Sequence, residues 1–171
     1  MRLEGKIAAV TGGGSGMGKA ISQAYAREGA RVIVADLNLD AARGVAEQIS
    51  AAGGEALPVQ TDVRDQAQAQ AMVDAAVETY GGIDVLVNNA GVGKIVPFLE
   101  TTNEDWDFMF DVNCKGMLWC SQAAARQMIE QGRGGKIVNL ASQAGRRGEA
   151  LVLAYCASKA CVISKIGRAH V

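Results

Sequence analysis

The sequence predicts an α/β domain: a doubly wound parallel sheet with helices on both faces. Three observations carry this. Short β-branched runs alternate strictly with longer helix-forming stretches, glycines punctuate the boundaries, and the first β-type run opens directly onto a glycine cluster.

Strand patterns occupy residues 6–11, 31–36, 55–60, 83–88 and 136–141. The stretches 16–29, 39–52, 65–81 and 104–131 are rich in Ala, Gln, Glu and Met, which favour helix. Residues 154–164 read as a further helix. Gly29, Gly53–Gly54 and Gly81–Gly82 stand where a left-handed residue can end a helix.

Composition narrows the function. The 171 residues suit one domain, and 49% apolar with 20% charged residues is ordinary globular usage. A net charge of −1 and 5% aromatics give no pull toward nucleic acid or an anionic membrane and no base-stacking platform. No apolar stretch approaches a membrane span, and the N-terminus lacks a signal-peptide pattern, so a cytoplasmic protein is expected. Cys114, Cys120, Cys156 and Cys161 form no C-x-x-C pair and His170 is the only histidine, so no metal site is expected.

The glycine cluster runs Thr11-Gly12-Gly13-Gly14-Ser15-Gly16-Met17-Gly18, between a strand and a helix. Such a turn lets the chain approach a pyrophosphate, while the helix N-terminus offers free N–H groups and a positive dipole end. Gly12, Gly14, Ser15, Gly16, Met17 and Gly18 are therefore candidate phosphate-side residues of a Rossmann-like dinucleotide site. Asp36 ends the second strand 18 residues after Gly18, where such a fold places its ribose-reading acid. A carboxylate there repels a 2′-phosphate, and neither Ser15 nor the adjoining Leu37 is basic, so NAD is preferred over NADP. The plainer alternative for Asp36 is a helix N-terminal acid before Asn38.

Tyr155-Cys156-Ala157-Ser158-Lys159 sets Tyr155 and Lys159 at i and i+4, on one face of a helix. Free tyrosine ionises near pH ~10, and a lysine ammonium one turn away favours the tyrosinate. Ser142, 13 residues before Tyr155, follows the fifth strand; its hydroxyl can hold a reacting oxygen beside the Tyr155 hydroxyl. Alone, Y-x-x-x-K is common by chance.

Taken in order, Thr11–Gly18, Asp36, Asn88-Asn89-Ala90-Gly91, Asn113, Ser142, Tyr155 and Lys159 resemble the short-chain dehydrogenase/reductase family. The resemblance covers residues 1 to 164. It implies a tetrad of Asn113, Ser142, Tyr155 and Lys159, with Tyr155 as general acid–base and Lys159 also on the nicotinamide ribose. The Asn113 carbonyl would hold a relay water. It implies further cofactor contacts at Asp62 and Val63, near the adenine, and at Asn89, Ala90 and Gly91. Asp62 could equally cap the following helix, and Asn113 could face solvent. The implied reaction passes hydride between a secondary alcohol and NAD.

The stretch from Ala141 to Ala150, with Tyr155-Cys156-Ala157, is similar to the family's polyol dehydrogenases, especially bacterial sorbitol (L-iditol 2-) dehydrogenases. That similarity makes a polyol the expected substrate, with Ser142, Tyr155, Gln143 and Glu149 as candidate hydroxyl readers. Another alcohol or ketone (acetoin or butanediol, a 3-oxoacyl group, a sugar) stays open. So does an inactive nucleotide-binding fragment. Sugar-nucleotide epimerases share Y-x-x-x-K, but their glycine spacing is tighter. Family members are homodimers or homotetramers and continue for several dozen residues, so the last strands of the sheet are expected to be missing. Residues 1–164 would be the incomplete domain and 165–171 a non-native tail, because Ile166 to Val171 spell what one frame of a common sequencing-library adapter encodes. His170 is given no role. Source codons that match the adapter would support the tail, and different codons would remove it.

Overall fold

The computed structural model describes residues 1–165. Of the expected tail, Lys165 ends the last helix and 166–171, with His170, lie outside the described residues. Five strands form one sheet: β1 (Ile7–Thr11), β2 (Arg31–Asp36), β3 (Glu55–Gln60), β4 (Val85–Asn88) and β5 (Lys136–Asn139). The order is β3-β2-β1-β4-β5 and every pair is parallel. The predicted fold class holds.

Alternation along the strands sends side chains to two cores. Ile7, Ala9, Ile33, Ala35 and Leu86 pack with Met72, Val73 and Ala76 of α3 (Gln66–Tyr80) and with Cys120 and Ala124 of α5 (Met117–Glu130). Ala8, Val10, Val32, Val34, Val85 and Val87 pack on the opposite side with Ala42, Val45 and Ile49 of α2 (Leu39–Ala51). Ile21 and Tyr25 of α1 (Gly16–Arg27) join that second core. All five residues of β1 are buried, as a central parallel strand requires.

Caps set the helix starts. Asn38 accepts from the Asp40 and Ala41 N–H groups, and Asp65 from those of Ala67 and Gln68. Gly81, at φ 84°, closes α3 in the left-handed conformation. Asp36 and Asp62 are thus not the caps of the helices that follow them.

The expected single helix over 104–131 is interrupted. α4 (Asn103–Phe110) passes into a π-helical turn, Asp111–Gly116, before α5. The wide turn brings Gly116 against Val63, where a Cβ would stand 2.6 Å from the valine Cγ2. The fifth strand ends at Asn139 rather than Ala141, because β4, its partner, ends at the paired Asn88. β5 is the edge of the sheet among the described residues; Ile137 is 37% and Val138 42% exposed. α6 (Leu153–Lys165) packs on a 3₁₀ turn, Gln143–Gly145.

At the opposite end of the sheet from the glycine cluster, Asp84 joins three segments. Its carboxylate accepts from the Ile7 N–H at 2.9 Å and from Arg133 Nε at 3.0 Å. Burial pushes this carboxyl up, but the Ile7 N–H and Arg133 outweigh it and hold it below the usual range. A depressed folded-state pKa contributes stability above the unfolded value, lost as pH falls through the folded one. Asp84→Ala should therefore lower stability by about 1–3 kcal/mol at neutral pH, and the deficit should shrink in thermal melts below about pH 4. Lys115→Ala, which removes an exposed pair with Asp111, should change the melt little.

Candidate active site

The strands all point the same way, so the loops after Thr11, Asp36, Gln60, Asn88 and Asn139 gather along one edge. Strand order reverses between β1 and β4, the place where open parallel sheets hold ligands. A cleft of about 410 Å³ opens there.

The glycine turn forms its floor. Gly12 (φ 62°) and Gly16 (φ 49°) are left-handed, and a Cβ on Gly12 would lie 3.0 Å from Ala90 Cα. Gly18 sits against the Gly12 carbonyl, with no room for a methyl group, so α1 packs directly onto the end of β1. Thr11 and Asn89 stitch the turn to β4. Thr11 Oγ1 accepts from the N–H groups of Asn89 and Ala90, both at 3.1 Å. Asn89 Nδ2 donates to the Thr11 and Gly12 carbonyls at 2.9 and 3.1 Å. Asn89 thus satisfies backbone carbonyls at the strand end. Asn88 instead turns its amide to Ser121 and Asn139, a pairing between elements that local sequence does not reveal.

No acidic side chain occupies the first turn of α1, and the Ser15 side chain makes no capping bond. The positive end of the helix is left for an anion. Asp36 is pre-positioned beside it: its carboxylate accepts from the Gly14 and Asn38 N–H groups, each at 2.9 Å.

Gly12, Ser15, Gly16, Met17, Asp36, Leu37, Asp62, Val63, Asn89, Ala90 and Gly91, all expected, line the cleft. Gly14 and Gly18 do not. The Gly14 N–H donates to Asp36, and Gly18 packs on the Gly12 carbonyl. Thr61, Arg64, Val92, Phe108 and Val112 line it without having been expected. Arg64 reaches the same cleft from the loop after β3. Its guanidinium is engaged, with Nε 2.9 and 3.1 Å from the two Asp62 oxygens and Nη2 on Oδ2. The pairing holds the Asp62 carboxyl below the usual range.

Beyond Gly91 the proton-handling candidates come together. Lys159 is 6% exposed, and its Nζ donates to the Leu140 carbonyl at 2.9 Å. Burial pushes its ammonium below the ordinary lysine value. Nζ also lies 5.8 Å from the centre of the Tyr155 ring, whose edge faces Gly93. Asn113 is buried rather than facing solvent. Its Oδ1 accepts from the Val92 N–H, and its Nδ2 donates to the Val92 carbonyl and to Ser158 Oγ, all at 2.9 Å. Ser158 in turn donates to the Tyr155 carbonyl at 2.8 Å. Asn113, Ser158 and the Tyr155 carbonyl thus share one network, and Lys159 lies beside the Tyr155 ring. Ser142 Oγ accepts from the Ala144 N–H at 3.2 Å, on the turn packed against α6.

Ser142, Tyr155 and Lys159 do not line the 410 Å³ cleft, and neither do Gln143 and Glu149. Both of these are exposed, and Glu149 pairs with Arg147 at 3.9 Å. Among the described residues no group of three or more His, Cys, Asp or Glu could hold a metal, and no helix is long and apolar enough to cross a membrane.

Two glycine substitutions should separate a close-packed glycine from one in open space. Gly18→Ala should abolish the folded cleft, seen as loss of the cooperative melt or a drop of several degrees in Tm. Gly44→Ala, inside α2 with open space around it, should stabilise by about 0.5–1 kcal/mol.

Residues 6–167 match the family model described as short chain dehydrogenase. Over 164 residues the chain is 52% identical to a sorbitol dehydrogenase of Cereibacter sphaeroides and spans 96% of itself and 63% of that protein. Galactitol 2-dehydrogenase of Agrobacterium fabrum is 49% identical over 164 residues, again 96% of this chain and 63% of the relative. A short chain dehydrogenase/reductase from Burkholderia phymatum, solved in complex with NAD, superposes with a TM-score of 0.93 at 38% identity, over 96% of this chain and 59% of that one. The chain therefore spans less than two thirds of these relatives' length, and over that span it belongs to the short chain dehydrogenase family.

Proposed function

We propose that this chain is the cofactor-binding and proton-transfer part of an NAD-dependent oxidoreductase acting on a secondary alcohol, in the polyol class. The observation that carries the reading is the pairing of two features along one edge of the sheet. One is a glycine-floored cleft with an uncompensated helix N-terminus and a pre-positioned Asp36. The other is a buried Lys159 beside Tyr155.

A dinucleotide fits what lines the cleft. Gly12, Gly16 and Met17 would hold its pyrophosphate, Asp36 the adenosine ribose hydroxyls, and Asn89 to Gly91 the chain toward the nicotinamide. When bound, NAD supplies the hydride acceptor. The Tyr155 hydroxyl exchanges the proton at the substrate oxygen. Lys159 has two N–H donors left after Leu140, enough to bind a ribose hydroxyl. Ser142 accepts from Ala144 through its lone pairs, so its own O–H remains to orient the substrate oxygen. The polyol class rests on the sorbitol and galactitol enzymes the chain is similar to. Cytoplasmic location and a dimeric or tetrameric parent go with this reading.

A second reading, nucleotide binding without turnover, is favoured by one observation: the cleft is lined without Ser142, Tyr155 or Lys159. Titration of the chain with NADH and NADPH, followed by nicotinamide fluorescence, should give saturable binding with NADH tighter. Asp36→Ala should narrow that preference by roughly tenfold, about 1.4 kcal/mol. Equal or tighter NADPH would remove the Asp36 assignment. With the relatives' C-terminal third restored, turnover of sorbitol or galactitol should fall about 10²–10⁴-fold in Tyr155→Phe. No turnover in the restored chain would favour the second reading.

A further inference from the structure

We infer that Ser158 is a positioning residue that couples the helix carrying Tyr155 and Lys159 to the cofactor cleft, a role that rests on the dinucleotide reading above. Ser158 is buried in α6 and does not line the cleft. Its hydroxyl has one hydrogen and two lone pairs, and its surroundings force how they are used. The Val92 N–H can only donate, so the Asn113 oxygen must face it, at 2.9 Å. That turns the Asn113 amide hydrogens to the Val92 carbonyl and to Ser158 Oγ, each at 2.9 Å. Ser158 Oγ accepts there, and its single hydrogen goes to the Tyr155 carbonyl at 2.8 Å. The bonds form one chain from Val92 through Asn113 and Ser158 to Tyr155.

Both ends of this chain of bonds reach the site. Val92 and its neighbour Gly91 line the cleft. A Cβ on Gly91 would lie 3.2 Å from Asn113 Oδ1 and 3.4 Å from Lys159 Nζ, so cleft backbone, amide and ammonium meet closely. At the other end stands the first turn of α6, with Tyr155. The π-helical turn holds Ser158 a second time, since Cys114 Sγ donates to the Ser158 carbonyl at 3.4 Å. Asn113 is 2% and Ser158 0% exposed, so solvent cannot replace a lost partner. Without the hydroxyl, an Asn113 amide hydrogen is left unpaired. The amide then loses its fixed orientation, and with it the hold on Val92 and the register of Lys159 against the cleft. The glycine turn and Asp36 are secured by separate bonds and stay in place. Loss of Ser158 therefore acts on one end of the cleft, whereas a residue that only filled the core would act on both.

The test compares AMP, which needs only the adenosine end, with NADH, which spans the cleft, by calorimetry on the 171-residue chain. Ser158→Ala should weaken NADH about three- to tenfold and leave AMP within about twofold of wild type. In the ¹⁵N-labelled variant the Asn113 side-chain amide protons should exchange faster with solvent. Ser158→Thr keeps the hydroxyl and should bind NADH within about twofold of wild type. Wild-type NADH affinity in Ser158→Ala would overturn the inference, as would an equal loss of AMP and NADH. Ser158→Thr as weak as Ser158→Ala would overturn it too. Each of these results leaves the dinucleotide reading intact if wild type binds NADH. Wild-type chain that binds neither AMP nor NADH would overturn both.

Discussion

The close approach of Gly18 to the Gly12 carbonyl is the contact on which the rest of the site depends. It seats α1 directly on the end of β1, so the helix N-terminus faces the place where strand order reverses. Thr11 and Asn89 lock the same turn to the end of β4 with four hydrogen bonds at 2.9–3.1 Å. Gly14, also in this turn, donates to Asp36 at the end of β2. Three neighbouring strands are thus joined through one glycine turn, and each side chain that faces the cleft is positioned relative to it.

The proton-handling end is built on different physics. There, polar groups are buried and must find partners, since an unpaired one costs roughly 1–3 kcal/mol. Asn113, Ser158, the Tyr155 carbonyl and the Val92 backbone satisfy one another, and Lys159 is tied to Leu140. The π-helical turn at Asp111–Gly116 belongs to this arrangement, since it carries Asn113 inward while Gly116 slides past Val63. Loss of one partner would leave another buried and unsatisfied, so this end should respond to substitution as a unit.

Much of this was legible in the sequence because it is local. The glycine spacing, Asp36 at a strand end and the i, i+4 pair of Tyr155 and Lys159 each need only a few neighbouring residues to be read. What escaped depends on tertiary partners. The helix over 104–131 looked continuous because the bonds that accompany its wide turn come from Val92, 21 residues before Asn113. Arg64 and Phe108 carry no motif of their own in the sequence; only the fold brings them to one cleft. Gly14 and Gly18 belong to a legible motif, but their close approaches to Asp36 and to the Gly12 carbonyl depend on the fold. Gln143 and Glu149 carried no spacing signal of their own; both are exposed and neither lines the cleft.

The central claim is that a dinucleotide lies across the reversal of strand order, on the glycine turn. Amide chemical-shift mapping of the ¹⁵N-labelled chain during NADH titration tests it most directly. The shifts should concentrate at Gly12, Ser15–Met17, Leu37, Val63–Arg64 and Asn89–Gly91, with residues around Asp84 at the far end of the sheet unmoved. Saturable shifts centred on the groove between α1 and α2, near Gln23 and Gly53, would contradict it, as would no response at the glycine turn.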